Sequence, residues 1–242
     1  MKTRYITGLC LMLLVPHMSQ ADEPAPYTAS YEAEANGLKA TAKRRLVALE
    51  DGTYLLEMEL EATVLRQKVA SLAQSSRFNF EDGVLRTQAY EYKLGGVRSD
   101  NRSIVFDWAA GIALSRENDE SWTLPLEGQA YDPLSHQYEL RQALLRGERD
   151  DQEFVVIESE DIEPLRYRVM GEEVLVTPLG KLNTVKLERV REPNSKRSTV
   201  IWFATDWQYL LARIEQVSGS GLQIELLLDR AELAGETVTP LE

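Results

Sequence analysis

The stretch DPLSHQYELRQALLRG, from Asp132 to Gly147, reads as a helix in a chain that otherwise reads as short alternating strands. Asp132 suits the N-cap, where its carboxylate accepts the free amide hydrogens of the first turn. Pro133 suits the first helical position, and Gly147 closes the far end in a left-handed conformation. At about 100° per residue, Leu134, Tyr138, Leu144 and Leu145 fall on one side, and Ser135, Glu139, Gln142 and Arg146 on the other. Arg141 lands within the apolar stripe. An unpaired charge there is expensive. Arg141 is therefore expected either to pair with a carboxylate from the sheet or, in a sharper reading, to meet an anionic head group inside a cavity.

Working outward, the flanks alternate with period two. Tyr27, Ala29, Tyr31, Ala33 and Ala35 alternate with polar residues, and Asn36-Gly37 predicts a hairpin into Lys39 to Leu49. Tyr54, Leu56, Met58, Leu60 and Ala62 share one strand face, with Glu57, Glu59 and Glu61 on the other. Strand and tight turn repeat up to Trp122, Leu124 and Leu126. Beyond the helix, Phe154 to Glu158 and Leu165 to Met170 read as a hairpin about Glu163-Pro164. Glu173 to Thr177 and Leu182 to Arg191 read as a pair about Pro178-Leu179-Gly180. Thr199 to Ala204, Tyr209 to Val217 and Leu222 to Leu228 are apolar on both faces, as in strands covered on both sides. The expected fold is mainly β: a single antiparallel, strongly curved sheet, an open or half barrel of about ten to thirteen strands, wrapped around one central helix.

The start of the chain reads as an export signal. Lys2 and Arg4 precede an apolar run from Ile6 to Val15, too short to span a bilayer permanently, and Ser19 and Ala21 supply small residues for cleavage between Ala21 and Asp22. The expected organisation is a signal peptide over 1–21, one β-rich domain over 22–235 and a flexible tail over 236–242, with the mature protein in the periplasm and no integral membrane segment. The lone cysteine, Cys10, goes with the signal, which excludes disulfides, thiolate metal sites and cysteine nucleophiles. The full chain carries −12, and the processed one 25 basic against 39 acidic residues, −14. Nucleic acid and anionic membrane surfaces repel such a chain.

Candidate chemistry is sparse. His136 is the single histidine of the processed chain and, on the wheel, faces away from the apolar stripe, as a surface residue. Ser135 beside it points elsewhere, which disfavours a Ser-His-Asp arrangement. One histidine and no cysteine cannot supply a usual zinc set, and no calcium loop, dinucleotide fingerprint or P-loop occurs, so neither a metal nor a cofactor is expected. Paired carboxylates remain open, since a glycan hydrolase needs only two acids at the right separation. Asp107 and Asp206 adjoin large apolar residues, and the competing expectation is that either is an ion-pair partner of Arg141 or Arg213.

Two stretches carry a family likeness. Ser135-His136-Gln137-Tyr138-Glu139-Leu140-Arg141, followed by Leu144 and Gly147, resembles the S-x-x-Y-x-L-R helix of an exported bacterial family, DUF3108, known only as a domain of unknown function. Trp202 to Gln216 resembles that family's closing W-x-A-x-D-x-x-Y-L-P-V-R-I segment, with Leu211-Ala212 in place of Pro-Val. Tyr27-x-x-x-Tyr31 and Thr177-Pro178-x-Gly180 fit as well. The resemblance implies a periplasmic antiparallel sheet curling about a helix, similar in outline to periplasmic lipoprotein carriers, and brings no catalytic residue with it.

The functional expectation is a non-enzymatic periplasmic protein that binds or carries a hydrophobic or amphipathic envelope ligand such as a lipid. If the sheet curls without closing, its concave face and the helix enclose an apolar cavity with polar groups at the mouth. Arg141, Tyr138, Trp202, Phe203 and Trp207 are the candidate ligand contacts. The alternatives are a cell-envelope module whose exposed strand edge pairs with a protein partner, and an acid-residue hydrolase acting on glycans.

Overall fold

The computed structural model describes residues 24–242 apart from 66, 97–98, 220 and 222, so the expected signal peptide lies outside the described residues. Before the helix come β1 (Tyr27–Ala35), β2 (Leu38–Ala48), β3 (Tyr54–Val64), β4 (Gln67–Glu81), β5 (Val84–Gly95), β6 (Asp100–Asp107), β7 (Ile112–Glu117) and β8 (Glu120–Pro125). The helix α1 (Ser135–Leu145) is followed by β9 (Gln152–Glu158), β10 (Asp161–Thr177), β11 (Gly180–Val190), β12 (Ser198–Ala204), a 3-10 turn (Thr205–Trp207), β13 (Leu210–Val217), β14 (Gln223–Leu233) and β15 (Glu236–Thr237).

All fifteen strands belong to one sheet, in the order β8-β7-β6-β5-β4-β3-β2-β1-β14-β13-β12-β11-β10-β9 with β15 added to β14, and every pairing between strands is antiparallel. The sheet stays open: β8 and β9 end it. A single residue beyond β8, Tyr131, forms a parallel bridge to Val156 of β9, donating its amide to the Val155 carbonyl and accepting from the Ile157 amide at 2.9 Å each.

The fifteen strands exceed the expected ten to thirteen. The two strands expected at Leu165 to Met170 and Glu173 to Thr177 are, however, one strand, β10, bent by a bulge between Val169 and Gly171. Nor does the chain turn at Glu163-Pro164. Pro164 pairs with Val155 inside β10, where β11 has not yet begun to pair, so its missing N–H costs no ladder bond. The turn falls instead at Ser159, with φ +54°. The hairpin at Asn36-Gly37 forms as the sequence predicts, both residues having positive φ.

The helix explains why the sheet must curl. Ser135 Oγ lies 3.1 Å from Thr87 Oγ1 on β5, while the next residue, His136, bonds Tyr167 Oη on β10. Those strands are nine positions apart in the sheet, about 43 Å if it were flat, against a helix about 10 Å across. Both walls meet one helix, so the sheet bends around it. Burial follows: Ser135, His136, Tyr138, Glu139, Leu140, Arg141, Ala143 and Leu144 are all buried, while Leu145, expected on the apolar side, is exposed. The two-sided wheel therefore misplaces His136 and Glu139, because the helix has little wet face.

Asp132 does cap the helix, although regular α-helix begins only at Ser135. Its Oδ1 accepts from the amides of Leu134 and Ser135 at 2.6 and 2.8 Å, and its Oδ2 accepts from Ser76 Oγ on β4. The C-terminal residues, expected as a loose tail, are tied down. β15 pairs with β14, Val238 is buried and its amide reaches the Ala231 carbonyl, and the Leu241 amide donates to the Lys181 carbonyl at 2.8 Å. Pro240 sits where a side chain at Gly180 would be, its Cβ 2.5 Å from that position.

Replacing Asp132 with alanine strands two amides and the Ser76 hydroxyl in the interior. The expected loss is about 2–4 kcal/mol by urea unfolding, with Asp132→Asn losing less. A loss below about 0.5 kcal/mol for the alanine variant would remove the cap from this account.

Candidate functional site

Inward-facing rows start apolar and end charged. On β11, Val185 and Leu187 are buried, and the same alternation carries Arg189 and Arg191 onto that face. On β10, Leu165 and Tyr167 are buried and Glu163 continues their row; on β9, Phe154 and Val156 lead to Glu158. Buried Ile104 on β6 shares its face with Arg102, and Ser115 on β7 shares its face with Glu117. Together these row ends line an open cavity of about 620 Å³, with Trp122, Val156 and Leu165 among its apolar walls.

The charges in this cavity are unevenly matched. Arg102 is held by Asp100, Glu117 and Glu158 at 2.9, 3.4 and 2.7 Å, and lies over the Tyr92 ring. The Glu158 contact ties β6 to β9, across the open side of the sheet. Arg189 meets Glu163 at 3.2 Å. Arg191 and Arg197 make no ion pair among the described residues, and Arg191 Nε is buried without a hydrogen-bond partner. Burial, and then the neighbouring charges of Arg189 and Arg197, hold the Arg191 guanidinium below its usual value. The Arg197 guanidinium lies against Gly219, whose missing side chain makes room for it: a Cβ there would be 2.9 Å from Nε.

The residues singled out from sequence are dispersed. Arg141 is buried but meets no carboxylate. Its Nε donates to the Gln208 carbonyl at 2.7 Å, and its guanidinium lies over the rings of Tyr27 and Tyr138. Asp107 is exposed and accepts from the Ala110 amide; Asp206 is exposed and accepts from Asn183 Nδ2 at 2.7 Å. Neither partners Arg141 or Arg213, because each sits in a wet turn. Arg213 pairs instead with Glu215 and with Glu225.

Trp202 stands between Lys186 and Arg213, its partners on neighbouring strands, and donates to Glu173. Phe203 is buried, while Trp207 is half-buried and donates to the Thr239 carbonyl. None of these five ligand candidates lines the charged cavity. Of the arginines that do, Arg189 and Arg191 were legible only by following the Val185–Leu187–Arg189–Arg191 alternation to its end.

His136, expected on the surface, is only 4% exposed. Its Nδ1 faces the Asp132 backbone carbonyl and its Nε2 faces Tyr167 Oη, each at 3.1 Å. The Asp132 carboxylate faces Ser76 and the helix amides rather than the imidazole, so Ser135, His136 and Asp132 do not form a proton relay. Burial, reinforced by the charges of Arg189 and Arg44, lowers His136 to about 4. Burial also raises Asp132 to about 6, against the pull of its hydrogen bonds. Among the described residues no group of three or more His, Cys, Asp or Glu is placed to hold a metal ion.

A family model described as "Protein of unknown function (DUF3108)" matches residues 27–227. No curated protein matches the chain. Among solved structures, one similar fold is the crystal structure of a beta-barrel-like protein of domain of unknown function DUF1849 from Brucella abortus. The two are 10% identical, the match covers 86% of this chain and 98% of that one, and the TM-score is 0.56, a likeness of fold.

The two buried titrating groups act on stability with opposite signs. His136, depressed from 6.5 to about 4, contributes stability above pH 6.5 that is lost as pH falls toward 4. Asp132, raised from 3.8 to about 6, contributes stability in acid that is lost as pH rises toward 6. Relative to the wild type, Asp132→Asn should therefore lose stability on acidification from pH 6.5 to 4, and His136→Gln should gain it from pH 6 to 4. Each difference should reach at most about 3 kcal/mol. Parallel profiles for the two variants in urea titrations would contradict both assignments.

Proposed function

The chain belongs to the DUF3108 family of proteins of unknown function, and we propose that it is a non-enzymatic periplasmic binding protein for an amphipathic envelope ligand with an anionic head group, such as a lipid. The observation that carries this reading is the pair Arg191 and Arg197, which make no ion pair among the described residues, on the wall of an open 620 Å³ cavity. Guanidinium groups without a carboxylate partner are donors for a phosphate or carboxylate, Arg191 from a half-buried position and Arg197 from an exposed one. The cavity is more charged than the apolar pocket expected from sequence. The head group, rather than the tail, is what it is built to recognise.

The test is native mass spectrometry with lipid extraction on protein purified gently from its own periplasm. The wild type is expected to carry an anionic amphiphile. An Arg191→Gln/Arg197→Gln double variant should keep its unfolding midpoint and bind that amphiphile at least about tenfold more weakly. Equal retention by the variant, or a ligand-free mass for the wild type, would contradict the proposal.

A second reading rests on a separate observation. Pairing of β10 with β9 stops at Tyr167, so Arg168 to Thr177 has β11 on one side and, among the described residues, no strand on the other, with Met170, Val174 and Val176 exposed. Such an edge offers unpaired backbone groups to an extended segment of an envelope protein. A photo-crosslinker at Val176, which is 69% exposed, is expected to give a discrete adduct where one at exposed Leu114 gives none. Identical labelling at both positions would count against this edge.

A further inference from the structure

We propose that a small inorganic anion of the chloride class is bound in the interior beside Tyr27, between the guanidinium groups of Arg44 and Arg141. The two arginines are 5% and 4% exposed, and neither forms an ion pair with a carboxylate among the described residues. Their partners are neutral. Arg44 Nε donates to Tyr27 Oη at 3.1 Å and its Nη1 to Gln137 Oε1 at 2.8 Å, while Arg141 Nε donates to the Gln208 carbonyl. Tyr27 places both charges close together, with Arg44 at its hydroxyl and the Arg141 Cζ 5.2 Å from its ring centroid. Two positive charges are thus buried in one place with no carboxylate paired to either among the described residues, a state that a fold sustains only at high cost.

Unused donors point the same way. Arg141 Nη1 and Tyr138 Oη are both buried without a hydrogen-bond partner, and they come from positions i and i+3 of one helix face. The Tyr31 hydroxyl, beside both arginines, is spent on the Leu211 carbonyl. A water molecule would satisfy the two donors and leave both charges uncompensated. An anion answers the donors and the charge together. None of these groups belongs to the 620 Å³ cavity, so the inference stands apart from the proposed ligand site.

The experiment is thermal unfolding of the full processed chain in chloride, at constant ionic strength made up with gluconate, which is too large for a buried two-donor site. Alongside it, crystals are soaked in bromide and read by anomalous scattering. The wild-type midpoint is expected to rise with chloride and saturate, with a bromide peak within hydrogen-bond reach of Arg141 Nη1. Arg141→Met should lose the chloride response. Should that variant fail to fold, Tyr138→Phe, which removes only the idle hydroxyl, should raise the half-saturating chloride concentration about fivefold. Equal midpoints in chloride and gluconate, an unsaturated rise shared by Arg141→Met, or water density in place of bromide would each overturn the proposal.

Discussion

A helix buried on almost every side must have its polar groups answered by whatever surrounds it, and here a single sheet does the answering. Asp132 is the hinge of that arrangement, taking the first amides of the helix on one oxygen and Ser76 of β4 on the other. From there Ser135 reaches β5 and His136 reaches β10, contacts that an eleven-residue helix makes only if the sheet has bent around it. Closure is left to one bridge at Tyr131 and to the Arg102–Glu158 ion pair, so the structure is barrel-like without a closed ladder.

The helix also divides the interior. Where it sits, the rows from the strands are mostly apolar, with Arg44, Ser76 and Thr87 as the polar groups that bond to it or to its cap, and the aromatic rings of Phe78 and Tyr138 lie 5.1 Å apart. Where it does not, the same rows run on into Arg102, Glu158, Glu163, Arg189 and Arg191, and the space between them stays open. Four arginines and six carboxylates line that space, and the positive charge gathers on one side of it, at Arg189, Arg191 and Arg197. An acidic chain of net charge −12 disfavours polyanions at a distance.

Much of this architecture was legible from local rules. The cap at Asp132, the turn at Asn36-Gly37 and the dry row of Leu56, Met58 and Ala62 on β3 follow from residue type and period alone. What failed were inferences that assume one wet face. The helical wheel set His136 and Glu139 toward solvent because it could not register that strands lie on the polar side as well. Arg141 reads as the partner of a carboxylate or of an anionic head group, but its Nε donates to the backbone carbonyl of Gln208, which lies with Tyr209 in the left-handed region, at φ +49° and +54°. No side-chain pattern announces such a carbonyl. Glu163-Pro164 reads as a turn, but Pro164 lies inside β10, and the one-sided pairing that spares its missing donor is a property of the sheet.

The claim that the sheet is organised around the helix is tested most directly by native-state hydrogen exchange, read residue by residue. Amides within α1 are expected to exchange only through the global unfolding event, together with β1, β4 and β10, and to be among the slowest in the chain. The hairpin between β3 and β4, where Leu65 stands in solvent, should open at lower free energy. Early exchange of the helix while the surrounding strands stay protected would contradict the account, since the sheet would then hold its shape without the element proposed to bend it.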